Sequence, residues 1–469
     1  MFKKWMDKIM LHFGRLLIGC IVFTAAGILD AGDIVLPARI LSDATLLQAV
    51  NQRRSVRSYQ TKPVEYEALS WILEAADKAE FMGREWGKLI VMIDEAVYLY
   101  DRNSHQLKAD NQAVPGLRMY PAPVSLYLVP VSGEENDELW VWRGMAGQAV
   151  YLGAAILNLA TVTVRGVGFP IGYAASSATW KPREIEDDHM PAPGSVMDAS
   201  LESVIFDENR TDRTNEKLTE SEILDLLWAV YGYSMLEENN GRIHRTVPSA
   251  HGKYPMKVYL AEADGVYQYV PDTHAVQKIK KGDVRSSIVS ASDIAGGDKT
   301  AVLLIFLCDR NRQASRQMAL YEAGAMAYNL QLAGRALGRP VNSGMITSAG
   351  SIKKALGVGV TEQLEPLLIC SVSVSGPAKT FGQYKDGSYI GEVKSWPALK
   401  VKVIVENGRL SDIQILEDLS TPEFSEQVIN VLPGQMILKN GIDVEAVSGA
   451  TLSSENLKKA VTEALARAQ

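Results

Sequence analysis

Apolar residues recur at three- and four-residue spacing over Ala44–Gln52 and Glu67–Ala79, the period of a helix with one buried face. Short apolar runs at Lys88–Ile93 and Pro123–Val131 read as strands. Met145–Val164 is then a long stretch with hardly a polar position, and a helix without a polar face must be buried on several sides. The same order returns further on. Glu220–Val230 has the helical period, Met256–Ala261 and Ala301–Cys308 read as strands, and Glu322–Leu337 predicts a second long apolar helix. Each long helix is expected to end near a capping glycine. Such recurrence is the sign of a duplicated unit. Two tandem helices without a polar face predict a core shared between the copies, like a dimer fused into one chain.

Lys181–Glu216 is polar, with several Pro, Asp and Arg residues and no clear period, so it reads as a connecting arm. Gly376–Gln383 is a second break. Tyr389–Val405 alternates as strands do, Asn407-Gly408 is a hairpin dipeptide, and Ser453–Ala468 predicts an amphipathic helix with Ser453 or Ser454 as N-cap. The resulting divisions are an amino-terminal segment 1–32, repeats 40–200 and 201–376, and a small domain 380–469. The fold class is α+β throughout.

A length of 469 residues accommodates two or three domains, and 47% hydrophobic with 22% charged residues is the balance of a chain with real cores. A net charge of -7 argues against a nucleic-acid partner. The amino terminus stands apart. Lys3, Lys4, Lys8 and Arg15 precede the uncharged run Leu16–Leu29, and small residues follow, the order of a secretory signal. Leu17-Ile18-Gly19-Cys20 also resembles a lipobox, and an uncleaved anchor helix is a third reading; all three put the body outside the cytoplasm. Cys308 and Cys370 each end an apolar run and read as buried hydrophobes, with a disulfide left open but without framework spacing. No His/Cys cluster has ligand spacing, so no metal site is expected.

Arg53-Arg54-Ser55-Val56-Arg57 follows the first helix. Three guanidinium groups so close repel one another unless an anion balances them, and Arg suits bidentate phosphate contacts. A solvated basic loop is the plainer reading of the motif alone. The whole of Ala44–Ala76, however, resembles the opening of the nitroreductase superfamily: a helix, R-x-S-x-R/K, an aromatic, a spacer with Pro, and a second helix. That resemblance implies a noncovalent FMN, with Arg53 and Ser55 on its phosphate and ribityl chain, Arg54 beside the phosphate and Arg57 at the pyrimidine edge. In the second repeat, Asp225–Tyr233, Arg245–Pro255, Asp264–Pro271 and Glu322–Gly338 resemble the SagB-type dehydrogenase branch that oxidises peptide azolines. It implies that Pro248 and Ser249 lie against the Arg53–Arg57 site, with Pro170-Ile171-Gly172 as backbone donor segment towards the flavin N5. Leu201–Asp207 lacks the Arg motif and Glu80–Trp86 lacks the Pro-Ser segment, so one composite site is expected, not two. His251 and Tyr254 lie near the Pro-Ser segment and are given no catalytic role.

Tyr384–Gly391, Val401–Leu410 and Val444–Ser454 resemble the FMN-binding domain of the sodium-pumping quinone reductase. Its S-G-A-T motif falls on Ser448, Gly449, Ala450 and Thr451. The resemblance implies that a flavin transferase esterifies FMN through its phosphate to Thr451; Glu445 stands where that family usually has Asp. A hydroxyl at a helix N-terminus is also where a phosphate is favoured. Together the resemblances imply an extracytoplasmic, FMN-dependent oxidoreductase. Electrons from a membrane or extracytoplasmic donor would pass from covalent FMN to noncovalent FMN and on to a small-molecule substrate. The alternatives are a SagB-type dehydrogenase running in the other direction and a non-catalytic flavin electron carrier.

Overall fold

The computed structural model describes residues 32–110, 120–131, 135–175, 195–207, 218–236, 243–294, 300–357, 363–373, 385, 387–393, 398–406, 409–419, 422–439, 442, 444, 446–447 and 450–468. The basic and apolar segment up to residue 31 with Cys20, most of the arm at 181–216, the break at 376–383, Asn407-Gly408, Glu445, Ser448 and Gly449 fall outside the described residues. The chain divides into two units, Met1–Val374 and Ser375–Gln469.

In the first unit the elements run β1 (Ile34–Val35), α1 (Leu46–Gln52), α2 (Tyr66–Asp77), β2 (Gly87–Ile93), β3 (Ala96–Asp101), β4 (Gln106–Ala109), β5 (Val124–Pro130), α3 (Asp137–Ile156), β6 (Ala160–Thr161) and β7 (Gly168–Gly172). They continue with α4 (Leu201–Phe206), α5 (Glu220–Tyr231), β8 (Tyr233–Leu236), β9 (Ile243–Arg245), β10 (Met256–Glu262), β11 (Gly265–Val270), β12 (Ala275–Lys281) and α6 (Arg285–Val289). The last are β13 (Thr300–Asp309), α7 (Arg316–Ala336), β14 (Val341–Met345), α8 (Ala349–Leu356) and β15 (Leu364–Ser373).

The duplication is visible in the sheets. One has the order β1-β4-β3-β2-β5-β7-β6, the other β12-β11-β10-β13-β15-β14. Apart from the added edge strand β1, the two orders correspond strand for strand, and the pairings are antiparallel. The hairpins β3–β4 and β11–β12 even repeat one device. In each a Tyr hydroxyl meets a His Nδ1 at 3.0 Å, Tyr100 with His105 and Tyr269 with His274. Both histidines turn the chain at positive φ, 50° and 46°.

The two long apolar helices, α3 and α7, cross where glycines let their backbones meet. A Cβ on Gly144 would stand 1.9 Å from the Tyr321 carbonyl oxygen, and one on Gly324 would stand 2.0 Å from that of Val141. Each glycine follows by three residues the carbonyl that meets the other, the reciprocity of contacts across a two-fold axis. Gln148 Nε2 donates to Asn329 Oδ1 at 2.9 Å across the same seam. One core results, with Trp71, Val91, Leu126 and Met145 from the first repeat and Leu227, Leu304, Phe306 and Met326 from the second.

Both helices start earlier than their apolar runs. The Asn136 side chain caps α3 on Leu139 N, and Ser315 caps α7 on Met318 N. Gly338 at φ 66° closes α7 as expected, whereas α3 stops at Ile156 with Asn158 in the left-handed position at φ 54°. The expected helix to Val164 is thus too long, because Ala160–Thr161 leaves to pair with β7. The arm is also more structured than its composition predicts. Ser200 caps α4, which buries Leu201, Val204 and Ile205, and Arg335 Nη1 on α7 donates to the Val204 carbonyl at 3.1 Å. By position α4 is the counterpart of α1.

Cys308 and Cys370 are buried and free. Burial pushes both thiols up to about 12, so they are inert hydrophobes.

The second unit is a three-stranded antiparallel sheet, β16 (Gly387–Val393), β17 (Leu399–Glu406) and β18 (Arg409–Asp418), covered by α9 (Pro422–Lys439) and α10 (Thr451–Ala466). Glu406 pairs with Arg409, which leaves a two-residue connection at the expected hairpin. Gly391 lies under α10 so closely that a Cβ would stand 1.8 Å from the Ala460 carbonyl oxygen. The helix begins at Thr451, with Ala450 at the cap position. Neither Ser453 nor Ser454 is therefore its N-cap. Ser454 is buried in the first turn, where it accepts from Val447 N at 3.0 Å and donates to the Ala450 carbonyl at 2.9 Å.

Candidate functional site

The loop after α1 is fixed before any side chain is considered. Val56 N donates to the Thr161 carbonyl at 2.9 Å and Gln60 N to that of Tyr173 at 2.8 Å, so the Arg motif runs beside β6 and the end of β7. Pro170, Ile171 and Gly172 are buried in β7 between β5 and β6. The motif's side chains then divide. Arg53 is 3% exposed, Arg54 is half-buried, and Ser55 and Arg57 face solvent.

Arg53 joins the repeats. Its Nη2 donates to the Arg245 carbonyl at 3.3 Å, at the end of β9, and its guanidinium lies 5.3 Å from the centroid of the Tyr151 ring. The Tyr151 hydroxyl accepts from Thr163 N at 2.8 Å and lies 3.1 Å from Ser55 Oγ. Gln148 Nε2 reaches the Thr246 carbonyl at 3.2 Å. The first repeat's Arg motif therefore meets the second repeat just ahead of Pro248-Ser249.

Pro248 is buried, and the Ser249 hydroxyl is engaged elsewhere: it donates to Glu322 Oε2 at 2.6 Å and accepts from Tyr254 N at 2.9 Å. Tyr231 donates to the other Glu322 oxygen at 2.7 Å. Burial on α7 pushes Glu322 up to about 7, against the pull of the Ser249 and Tyr231 hydrogen bonds. His251 is exposed in a turn at φ 57°. Sequence reasoning missed Tyr151, Arg245 and Glu322. The signal for Glu322 was present, since an acid inside an otherwise apolar helix needs partners.

The donor set suits a flavin phosphate and ribityl chain. Arg53 Nε, Gln148 Oε1, Thr161 Oγ1, Thr163 Oγ1 and Thr246 Oγ1 are buried without hydrogen-bond partners among the described residues. Buried polar groups are rarely left so, and an oxygen-rich ligand in this region satisfies such groups. In the second unit, Thr451 is exposed as the first residue of a 16-residue helix whose cap makes no side-chain hydrogen bond. Unsatisfied N–H groups and the helix dipole favour a phosphate there. Ser448 and Gly449 lie outside the described residues; Ala450 is buried.

Both units thus present groups suited to a phosphate-bearing ligand, and each overlaps a segment that matches a known family. Residues 210–373 match the Nitroreductase family and residues 395–466 match the FMN-binding domain. The second repeat is accordingly a nitroreductase family domain, and the carboxy-terminal unit carries an FMN-binding domain. A curated protein of Methanocaldococcus jannaschii, provisionally named a nitroreductase, is 28% identical over 104 residues, 21% of this chain and 50% of the relative. The chain spans about half the length of that relative. Two crystal structures provisionally titled nitroreductases are also similar. One, from Anabaena variabilis, is 13% identical, covering 66% of this chain and 88% of its own, with a TM-score of 0.46. The other, from Ralstonia eutropha, is 22% identical, covering 42% and 95%, with a TM-score of 0.34.

Proposed function

We propose that the chain is an extracytoplasmic FMN-dependent oxidoreductase that carries one noncovalent FMN between its repeats and one covalent FMN on Thr451. Electrons pass from a membrane or extracytoplasmic donor through the covalent FMN to the noncovalent one, which reduces a small molecule. The observation that carries this reading is Arg53: a buried cation with an unpartnered Nε, held against the second repeat beside Pro248-Ser249. Arg53, Arg54 and Ser55 hold the phosphate end and Arg57 neutralises charge at the pyrimidine edge. Pro170, Ile171, Gly172, Pro248 and Ser249 wall the ring system. Bound FMN supplies the hydride or electron transfer. The basic, then apolar amino-terminal sequence favours the extracytoplasmic location, where a flavin transferase matures Thr451.

Flavin stoichiometry tests this. After co-expression with a flavin transferase and acid precipitation, we expect one protein-bound flavin that vanishes in Thr451→Ala and one released FMN that is lost in Arg53→Gln. Released FMN unchanged in Arg53→Gln overturns the composite site. A missing covalent flavin overturns the relay, and covalent flavin without released FMN leaves an electron carrier.

A further inference from the structure

A cavity in the second repeat is lined by described residues of that repeat, including Arg245, whose carbonyl accepts from Arg53. It holds about 340 Å³ and is lined by Tyr231, Tyr233, Arg245, Tyr254 and Tyr269 together with Lys257, Gln268, Asp272 and Arg312. That volume is at the small end of ligand sites. Arg245 forms its centre. Its Nη1 donates to the Tyr231 carbonyl at 2.9 Å, and its guanidinium lies 4.5 Å from the ring centroids of both Tyr231 and Tyr233 and 5.6 Å from that of Tyr254. The cation is therefore rigid, and its Nε is buried without a partner. Arg312 and Lys257 have no ion-pair partner among the described residues. Against these three cations the lining holds one carboxylate, Asp272, which already accepts from the Tyr233 hydroxyl.

We propose that this cavity binds a small planar organic anion, an aryl carboxylate, with its carboxylate on the Arg245, Lys257 and Arg312 charges and its ring against the tyrosines. Arg pairs with carboxylate through two parallel hydrogen bonds, and tyrosine faces and edges receive an aromatic body. A neutral ring leaves the three cations unbalanced, and a bare inorganic anion leaves the tyrosine walls without a partner. The described residues that line the cavity all belong to the second repeat, so this inference stands apart from the flavin reading.

Calorimetric titration of the purified full chain with benzoate, benzamide and inorganic phosphate tests it. Benzoate is expected to bind at least about tenfold more tightly than either of the others, the size of one lost charge-assisted contact. The Lys257→Gln/Arg312→Gln double variant is expected to weaken benzoate by about tenfold or more while leaving released FMN unchanged. Arg245→Gln should abolish binding. If that variant fails to fold, the double variant still decides, because neither of its two side chains makes a hydrogen bond or ion pair to a described residue. Equal affinity for benzoate and benzamide, phosphate binding as tight as benzoate, or an unaffected double variant each overturns the proposal. So does loss of released FMN together with benzoate affinity, which makes the cavity part of the flavin site.

Discussion

Glu322 concentrates the cost of building a polar junction inside an apolar helix. Its carboxyl is removed from water yet bonded by two hydroxyls, Ser249 and Tyr231, and desolvation dominates. The folded protein holds this proton at about 7, whereas the ordinary value for an unfolded chain is 4.5. An acid with a raised folded value stabilises the fold fully below the unfolded value, and that contribution is lost as pH rises through the folded value. Urea unfolding of wild type and Glu322→Gln at pH 5 and pH 8 should therefore differ in slope. Wild type should lose on the order of 3 kcal/mol more than the variant over this range. Equal pH dependence of the two proteins refutes the assignment. At this scale the sequence was half legible. The Arg53–Arg57 cluster was visible as a local charge anomaly, but the division into a buried Arg53, a half-buried Arg54 and an exposed Arg57 was not. That division depends on Tyr151 and Arg245, which are far from the motif in the chain.

Among elements, the helical period located α2, α5 and the two long helices, since a 3.6-residue pattern reports a buried face directly. It failed at their ends. The polar starts of α3 and α7 carry caps and charges, and Asp137 of one pairs with Arg316 of the other at 2.6 Å, a contact that only the packed pair creates. It also passed over α9, where Val428, Leu432 and Met436 are buried at helical spacing but Pro433 interrupts the pattern. The crossing of α3 and α7 is the element-level feature most exposed to test. Gly324→Ala puts a methyl group against the Val141 backbone, which cannot yield as a side-chain tip can. We expect a loss of several kcal/mol, on the order of 3 to 5, with lower released FMN because the two repeats separate at the seam. Gly350→Ala, at an open position near the start of α8, should be neutral or slightly stabilising. Thermal melts of the pair check both, and a neutral Gly324→Ala contradicts the close crossing.

Over the whole molecule, the two units have separate cores. Damage confined to one should be read separately from damage to the other. Gly391→Ala drives a methyl group into the Ala460 backbone. It should lower the unfolding transition of the carboxy-terminal unit and the covalent flavin proposed on Thr451 while leaving the proposed released FMN and the body transition unchanged, as followed by calorimetry and acid precipitation. Loss of both flavins together would refute independent units. The recurrence of a helix, two strands and a long apolar helix was readable from the sequence because both repeats keep that apolar pattern, but the remaining strands and the sheet order were not. The Tyr–His hairpin device was not, since its geometry appears only when the strands pair. The reciprocal glycine contact between α3 and α7 has a last consequence. In a true dimer every substitution is copied onto both sides of the axis, so neither pocket can be altered without altering its twin. Joining the halves in one chain removes that constraint. One side is then free to keep its Arg53–Arg57 motif while the other drifts, and a single polypeptide acquires the asymmetry that elsewhere requires two different genes.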